Sequence, residues 1–451
     1  MFSRTQQPLL ALLIRLHLYV GLLVGPFIFF AALSGLVYAL TPQLENQLYA
    51  QQLFTNSRGT ALPLAEQVRV AKAQVGNSAT LSAVRPAPGP GTTTRVMFRT
   101  ADSAESESRA LFVDPVSGEI RGDLLVYGTS GVLPLRTWLD QLHRSLLLGE
   151  PGRLYSELAA SWLWVAALGG LALWVVKRRR TAANPRASGL RQLHATLGLW
   201  LLIGLLFFSA TGLTWSRWAG GNIGVARAAM GMSTPSVSTK LAGRGEAPAA
   251  EHAHHAGMTM AGTVSESGDP ILFDQVLGAA RAAGIDADKL EIAPASGPDR
   301  AWTVTEIDRS WPTQVDAVAI DPRTLRVTDR IDFATFALAA KLTRWGIDAH
   351  MGSLFGLANQ LLLAATALGL ATLVAMGYLM WWRRRRTARR VGVLQAFGVL
   401  SPRARAMTVV VAVLFGICLP VLGASLLLFL LVEALLDGLA RLREARLRQP
   451  G

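Results

Sequence analysis

RLHLYVGL (Arg15–Leu22) opens the first long apolar run of the chain, and RQLHATLGL (Arg191–Leu199) opens the third. In each, a His precedes a Gly by four residues: His17 and Gly21, His194 and Gly198. Eighteen residues after each His comes another Gly, Gly35 in SGLVY and Gly212 in TGLTW. The two stretches align without a gap. A His inside a membrane helix is costly and needs a partner. Two such His at one depth can ligate one metal centre between them, and haem is the natural candidate.

The rest of the composition fits a membrane chain. Of 451 residues, 51% are hydrophobic, and the mean hydropathy is +0.34. The runs Leu9–Leu40, Leu158–Val176, Leu193–Trp215, Leu357–Trp382 and Met407–Leu436 are each long enough to cross roughly 30 Å of hydrocarbon. The first run is too long for a cleavable signal peptide and lacks a small-residue cleavage site before Glu45.

The net charge of +14 sits in two places: Lys177–Arg191 holds six basic residues and Arg383–Arg405 eight, with no acidic residue in either. Short basic loops beside apolar runs mark the cytoplasmic side. Their position argues for membrane lipid, and against nucleic acid, as the partner of this charge. Cys418 is the single cysteine, which excludes a disulfide within the chain and Cys-ligated iron–sulfur or zinc sites. No Walker A motif and no G-x-G-x-x-G after a strand occurs.

The expected plan is an integral membrane α-helical protein. Spans fall at 1–40, 156–180, 190–215, 351–386 and 405–437, exterior modules at 41–155 and 216–350, and a tail at 438–451. The first module reads as a helix (Leu64–Val75) followed by strands in TTRVMFRT and RALFVDPVSGEIRGDLL, with a turn at Asp114-Pro115. The second reads as a helix (Leu272–Ala283) followed by AWTVTEID and VDAVAIDPRTLRVTD. Both are small α+β modules. Gly416, Pro420 and Gly423 lie inside the last run. It reads as one kinked span, because each limb of a hairpin would be short. That reading places Arg441, Arg443, Arg446 and Arg448 outside, against the charge rule.

Spacing makes this a parallel duplication of a two-helix unit, plus one extra C-terminal helix. Asp114 to His143 is 29 residues, and so is Asp321 to His350. Trp138 and Trp345 lie five residues before these His, Gly149 and Gly356 six after, and Trp174 and Trp381 thirty-one after. The offset between copies is 177 at the first His pair and 207 at the Asp-Pro turns, so thirty extra residues lie between Gly212 and Asp321. Equal orientation of the halves implies a pseudo-two-fold axis along the membrane normal.

That axis pairs His17 with His194 toward the cytoplasmic side, and His143 with His350 toward the exterior. Bis-His ligation fills both axial positions of haem iron and favours electron transfer over oxygen chemistry. Two haem b groups are the expected cofactors. Arg15 and Arg191 flank the inner pair, and Arg136, Arg144 and Arg344 flank the outer. They are candidates to neutralise propionates, with interfacial anchoring as the competing reading. Asp140 and Asp348 keep a zinc site open at the outer pair. His252, His254, His255, Met258 and Met260, in HAHHAGMTM, have imidazole and thioether groups that suit copper. Their irregular spacing in Gly/Ala/Ser-rich sequence also suits a plain linker.

The R-x-L-H and R-x-x-L-H helix starts, the paired D-P turns, LHRSLLLG and the H-x-G-x-x-x-G segment at His350 resemble the PepSY-associated transmembrane proteins. The resemblance covers roughly Arg15–Arg386. That family includes iron-regulated membrane proteins and ferric-siderophore reductases of the bacterial inner membrane. The resemblance implies periplasmic PepSY-like domains, haem ligation at the four His, and reduction of a ferric siderophore or other iron chelate. No flavin or NADPH reductase motif follows in this sequence, which leaves the electron donor open between a quinone and a flavoprotein. The alternatives are a non-redox PepSY module binding a periplasmic partner, or copper handling through the His/Met stretch.

Overall fold

The computed structural model describes residues 6–76, 78–104, 106–181, 189–241, 268–384 and 392–447. The candidates His252, His254, His255, Met258 and Met260 lie outside the described residues. In chain order the elements are α1 (Gln6–Tyr19), a π-helical turn (Val20–Val24), α2 (Gly25–Ala39), α3 (Thr41–Leu48), α4 (Ala50–Leu53), α5 (Leu64–Val75), β1 (Ala79–Arg85), β2 (Thr94–Thr100), β3 (Glu107–Val113), β4 (Ile120–Tyr127), α6 (Pro134–Ser145), α7 (Gly149–Thr181), α8 (Gly189–Thr214), α9 (Trp218–Ala229) and α10 (Ile271–Ala282). They continue with β5 (Leu290–Ala293), β6 (Trp302–Glu306), β7 (Ala317–Ile320), β8 (Val327–Ile331), α11 (Leu338–His350), α12 (Leu357–Arg384), α13 (Val393–Gly398), α14 (Pro402–Cys418) and α15 (Pro420–Leu447). The chain forms two compact units, Met1–Tyr38 with Gln141–Met230 and Leu361–Gly451, and Ala39–Asp140 with Gly231–Gln360.

The first unit is helical. Five described helical stretches are long and apolar enough to cross a membrane: Pro8–Ala39, Gly149–Val176, Gly189–Thr214, Leu357–Arg383 and Pro420–Leu442. Their outer faces stay apolar. Trp200 and Ile203 on α8 are 83% and 82% exposed, a surface that water would not tolerate over such an area and lipid does. Between them, Val20, Ile28, Trp162, Leu205, Leu370 and Met376 fill the bundle interior. The α1–α2 run and α7 are antiparallel, since His17 lies against Gly169 and Gly170 while Phe27 lies against Tyr155.

The second unit is a single eight-stranded antiparallel sheet of order β4-β3-β2-β1-β5-β6-β7-β8. Its two sets of four strands join where Val84 of β1 pairs with Ile292 of β5. Each strand alternates a core-facing residue with one on the other face. Val84, Phe98, Leu111, Ile292, Trp302 and Val318 enter one core with Val68 of α5 and Val276 of α10. Asp274 of α10 caps α5, accepting from the Leu64 and Ala65 backbone N–H groups at 2.8 Å each. The ladder slips between Phe112 and Val113 and again between Ala319 and Ile320. Each slip directly precedes an Asp-Pro turn. Gly118 (φ 74) and Leu325 (φ 57) take the same left-handed turn position after Asp114 and Asp321. A Gly fits that backbone freely and a Leu is strained there.

Several boundaries differ from the sequence reading. The second span starts at Gly149 rather than 156, after the left-handed Leu146, Leu147 and Gly149 (φ 54, 61 and 63). His143 lies on a separate helix, α6. The fourth span starts at Leu357 rather than 351. The expected single kinked span at 405–437 is two helices. α14 and α15 break at Leu419 (φ −123, ψ 80) and fold back on one another, with Gly416 packed against Gly423. Asn222 of α9 donates to the Ile417 and Cys418 carbonyls, which fixes the break at the α9 end of the bundle. Glu433, fourteen residues into α15, accepts from the Val393 and Leu394 N–H groups. Val393 and Ala396 in turn pack on Leu12 of α1. The limbs therefore run to opposite ends of the bundle, and the sequence reading missed this because α14 has only 17 residues.

Cys418 is exposed, and Leu439 is 56% exposed near the other end of α15. Native Cys418 and a cysteine in Leu439→Cys should therefore react with an impermeant maleimide from opposite sides of vesicles. One kinked span would leave Cys418 unreactive in mid-bilayer.

Asp114 tests the sheet unit. It is 1% exposed and accepts from Thr55, Ser57 and the Val116 and Ser117 N–H groups. Burial alone raises its pKa, but these hydrogen bonds outweigh burial and hold the carboxyl well below the usual range. A depressed carboxyl pKa contributes stability that is complete above the unfolded value of about 3.9 and is lost as pH falls toward the folded one. Asp114→Ala should cost about 2–3 kcal/mol in thermal unfolding at neutral pH, with the gap to wild type closing in acid.

Candidate functional site

The inner His pair is assembled by three helices. The Nδ1 atom of His17, on α1, lies 3.1 Å from the Ala166 carbonyl of α7. A carbonyl only accepts, so Nδ1 carries the proton and Nε2 keeps its lone pair. Donation of one ring N–H to a backbone carbonyl is how metal-binding His are usually oriented. Room for the ring comes from Gly169 and Gly170. A Cβ at Gly170 would stand 3.2 Å from His17 Cε1, and one at Gly169 3.7 Å from Nδ1.

His194, on α8, faces His17 with ring centroids 6.4 Å apart and planes at 81°. Its Nδ1 is buried without a hydrogen bond of normal geometry, and the Leu373 backbone of α12 is a polar group it meets. Ala166 and Leu373 are 207 residues apart, the same offset as Asp114 and Asp321. Arg15 and Arg191 are half-buried beside the pair, and neither has an ion pair among the described residues.

Just beyond His17 the helix widens into the π turn, a device common at functional sites. The Tyr378 hydroxyl of α12 donates to the Leu22 carbonyl inside that turn. Sequence reasoning missed Gly169, Gly170, Ala166 and Tyr378. A Gly pair in ALGGLALW looks like any helix-packing pair, and a carbonyl leaves no mark in a sequence.

In the same unit, His143 of α6 meets the other end of the α1–α2 run. Ser34 Oγ donates to the Phe30 carbonyl at 2.8 Å and lies 3.0 Å from His143 Nδ1. With the serine proton used on the backbone, Nδ1–H is the donor, the same tautomer as in His17. A Cβ at Gly35 would stand 3.1 Å from His143 Cε1, so Gly35 is the space for this ring. Arg144, beside it on α6, is half-buried.

His350 ends α11 and belongs to the sheet unit. Beside it, Asp348 is 2% exposed and is gripped by Arg344 at 2.7 Å and Arg309 at 3.4 Å. Burial pushes the Asp348 carboxyl above its ordinary value against the pull of both arginines. Arg344, expected beside a propionate, and Asp348, expected near a zinc site, are here paired with each other. Arg136 is likewise committed, to Glu45 at 2.6 Å. No group of three or more His, Cys, Asp or Glu able to hold a metal ion occurs among the described residues.

Against this geometry, the model of the PepSY-associated TM region matches residues 14–384. The chain belongs to that family. All four helix-associated His fall inside the match, and α13, α14 and α15 fall outside it. No curated protein matches the chain. The PepSY-associated chain is thus a membrane helical protein with an antiparallel sheet region.

Asp348→Ala would leave two guanidinium groups without their buried anion. The expected loss is about 3 kcal/mol in thermal unfolding, with new protease sensitivity at the end of α11. Arg344→Ala should cost less, because Arg309 still answers the carboxylate.

Proposed function

We propose that the chain is a di-haem electron-transfer protein that reduces a ferric chelate held at its sheet unit. The observation that carries this reading is the His17–His194 geometry. With imidazole–metal bonds of about 2 Å, two nitrogens on opposite sides of one ion stand about 4 Å apart, and the ring centroids roughly 6 Å apart. The observed separation is 6.4 Å. His17 holds the tautomer a ligand needs, His194 Nδ1 is left without a partner of normal geometry, and Gly169 and Gly170 keep the space clear.

The residues take these roles. His17 and His194 hold the inner haem b, with Arg15 and Arg191 placed to balance its propionates. His143 of the helical unit, with Arg144 next to it in α6, and His350 of the sheet unit are the further candidate haem ligands. Haem supplies a reversible one-electron couple when bound. The protein positions it, keeps water from it and holds each ring in one tautomer. The sheet unit reads as two PepSY-like modules from a duplicated half. Its support is the mirrored strand order, with register slips 207 residues apart at Val113 and Ile320. The short basic loops support an N-terminus in the cytoplasm and modules in the periplasm of a bacterial inner membrane. Iron(III) reduced there is held less strongly by hard-oxygen chelators, so no nucleophile is needed.

A reduced-minus-oxidised spectrum of the purified protein tests this reading, and absence of b-type haem bands sinks it. His17→Ala and His194→Ala should each lower the haem-to-protein ratio by about half and remove the same redox component. Gly170→Val should do likewise by crowding the His17 ring. In proteoliposomes, dithionite-reduced protein should be reoxidised by ferric chelates with matching ferrous iron release. Reoxidation only by another acceptor would retain the electron-transfer class and overturn the iron assignment.

A further inference from the structure

The helix that precedes the fourth span is amphipathic the wrong way round for water. α11 turns Ala340 and Asp348 inward, at 0% and 2% exposure, and Arg344 grips Asp348 on that face. The opposite edge, at helical spacing, carries Leu338 and Leu342, which are 67% and 55% exposed. A helix edge that meets water is polar. α11 lies in the sheet unit, not among the spans, so its apolar edge is not a face of the helical bundle.

An aromatic pair stands beside it. Trp311, between β6 and β7, and Phe355, between α11 and α12, are each 56% exposed. Their rings meet edge to face with centroids 6.0 Å apart. Both loops are held in place. The Phe355 N–H donates to the Ser310 carbonyl at 2.9 Å, and Ser310 is itself bonded to Asp308. The Trp345 indole N–H of α11 donates to the Pro312 carbonyl at 2.9 Å, and Arg309 reaches Asp348. Phe355 takes a left-handed backbone (φ 58), a strained state for a bulky residue that persists only where its surroundings enforce it. The strap that carries Trp311, 307–316, is longer than the equivalent 101–106 of the first half.

Chain continuity says what lies under this surface. Phe355 stands two residues before Leu357, where the fourth span begins, and so within about 7 Å of it. The span has 27 residues. That length is about 40 Å, more than the hydrocarbon core, so its ends reach the headgroups. Leu357, Leu361 and Leu362 are all exposed on its first turns, as a lipid-facing side requires. Aromatic side chains favour this level of a bilayer.

We propose that Leu338, Leu342, Trp311 and Phe355 form a seat on the lipid surface, at the boundary of headgroups and acyl chains where α12 enters the bilayer. Apolar contact carries the seat. Lys341, beside the two leucines, donates to the Ala334 carbonyl, and Arg309 and Arg344 are drawn to Asp348, so the face is not a basic patch for anionic lipid. Interfacial helices with an apolar edge lie in the membrane plane in this way. The seat needs no haem, and it holds the end of α11 that carries His350 at the membrane surface.

The test uses full-length protein in nanodiscs of neutral phospholipid, with Cys418→Ser as background and a nitroxide at Leu342→Cys or at Trp311→Cys. Collision with oxygen, which concentrates in lipid, is compared with collision with a water-soluble nickel chelate. Leu362→Cys on α12 gives the lipid value, and Arg326→Cys, exposed at the second Asp-Pro turn, gives the water value. At both seat positions the ratio of oxygen to nickel collision should exceed that at Arg326→Cys several-fold. A ratio equal to that at Arg326→Cys means a face bathed in water and overturns the proposal. Exclusion of both reagents means a protein partner, a second copy or another part of this chain, and overturns it equally. Thermal unfolding reports the folding of each variant, and if Trp311→Cys loosens the strap, Leu342→Cys carries the test.

Discussion

A ring nitrogen inside an apolar bundle has to be satisfied from within that bundle, and this requirement fixes where His17 sits. The only backbone acceptor a helix can offer is a carbonyl approached closely. Ala166 offers one because Gly169 and Gly170, one turn on, have no side chains to hold the ring away. That contact sets the depth at which α1 meets α7. His194 on α8 meets the same ring edge-on. The π turn after His17 loosens the helical ladder, and Tyr378 answers it at Leu22. One imidazole thus ties together four helices from both halves of the chain.

Much of this frame was legible in the sequence. The helix Leu64–Val75 was read to the residue, because its apolar positions repeat with helical period between Pro63 and Gly76. The Asp-Pro turns were legible because Asp114 and Asp321 each bond their own backbone two residues on, a local interaction that spacing reveals. The pairing of His17 with His194 followed from equal positions in two gap-free blocks. What was not legible depends on contacts between residues far apart in the chain. Arg344 beside an imagined propionate looks the same in sequence as Arg344 beside Asp348. The junction of β1 with β5 joins residues 208 apart through one Val84–Ile292 pair, which no local pattern records.

The halves share a frame and differ in what fills it. At the 207 offset, Ala166 becomes Leu373, Gly169 becomes Met376, and Tyr378 replaces Leu171. His194 meets the Leu373 backbone, the counterpart of Ala166 beside His17. In the sequence, Thr137 and Gln141 precede His143 where Arg344 and Asp348 precede His350. Equal imidazoles therefore sit in unequal shells. Shells of hydrogen bonds and charge set how strongly a ligand donates and how stable each charge state is.

The C-terminal hairpin settles a conflict of charge by geometry. A single span through Met407–Leu436 would carry Arg441 to the side opposite the basic segments at 177–191 and 383–405. The fold does otherwise. Asn222 holds the α14–α15 break at the α9 end, and Glu433 reaches α13, which packs on the start of α1. Glu433 is 8% exposed, a carboxylate deep against helical surfaces, and it persists there because two backbone N–H groups at the start of α13 donate to it. Gly392 makes the approach possible, since a Cβ there would overlap the Glu433 carboxylate. The cap returns α15 to the end from which α1 sets out, and Arg441 returns with it. Arg441 thereby lies at the end of the bundle where α1 begins, as the charge rule favours.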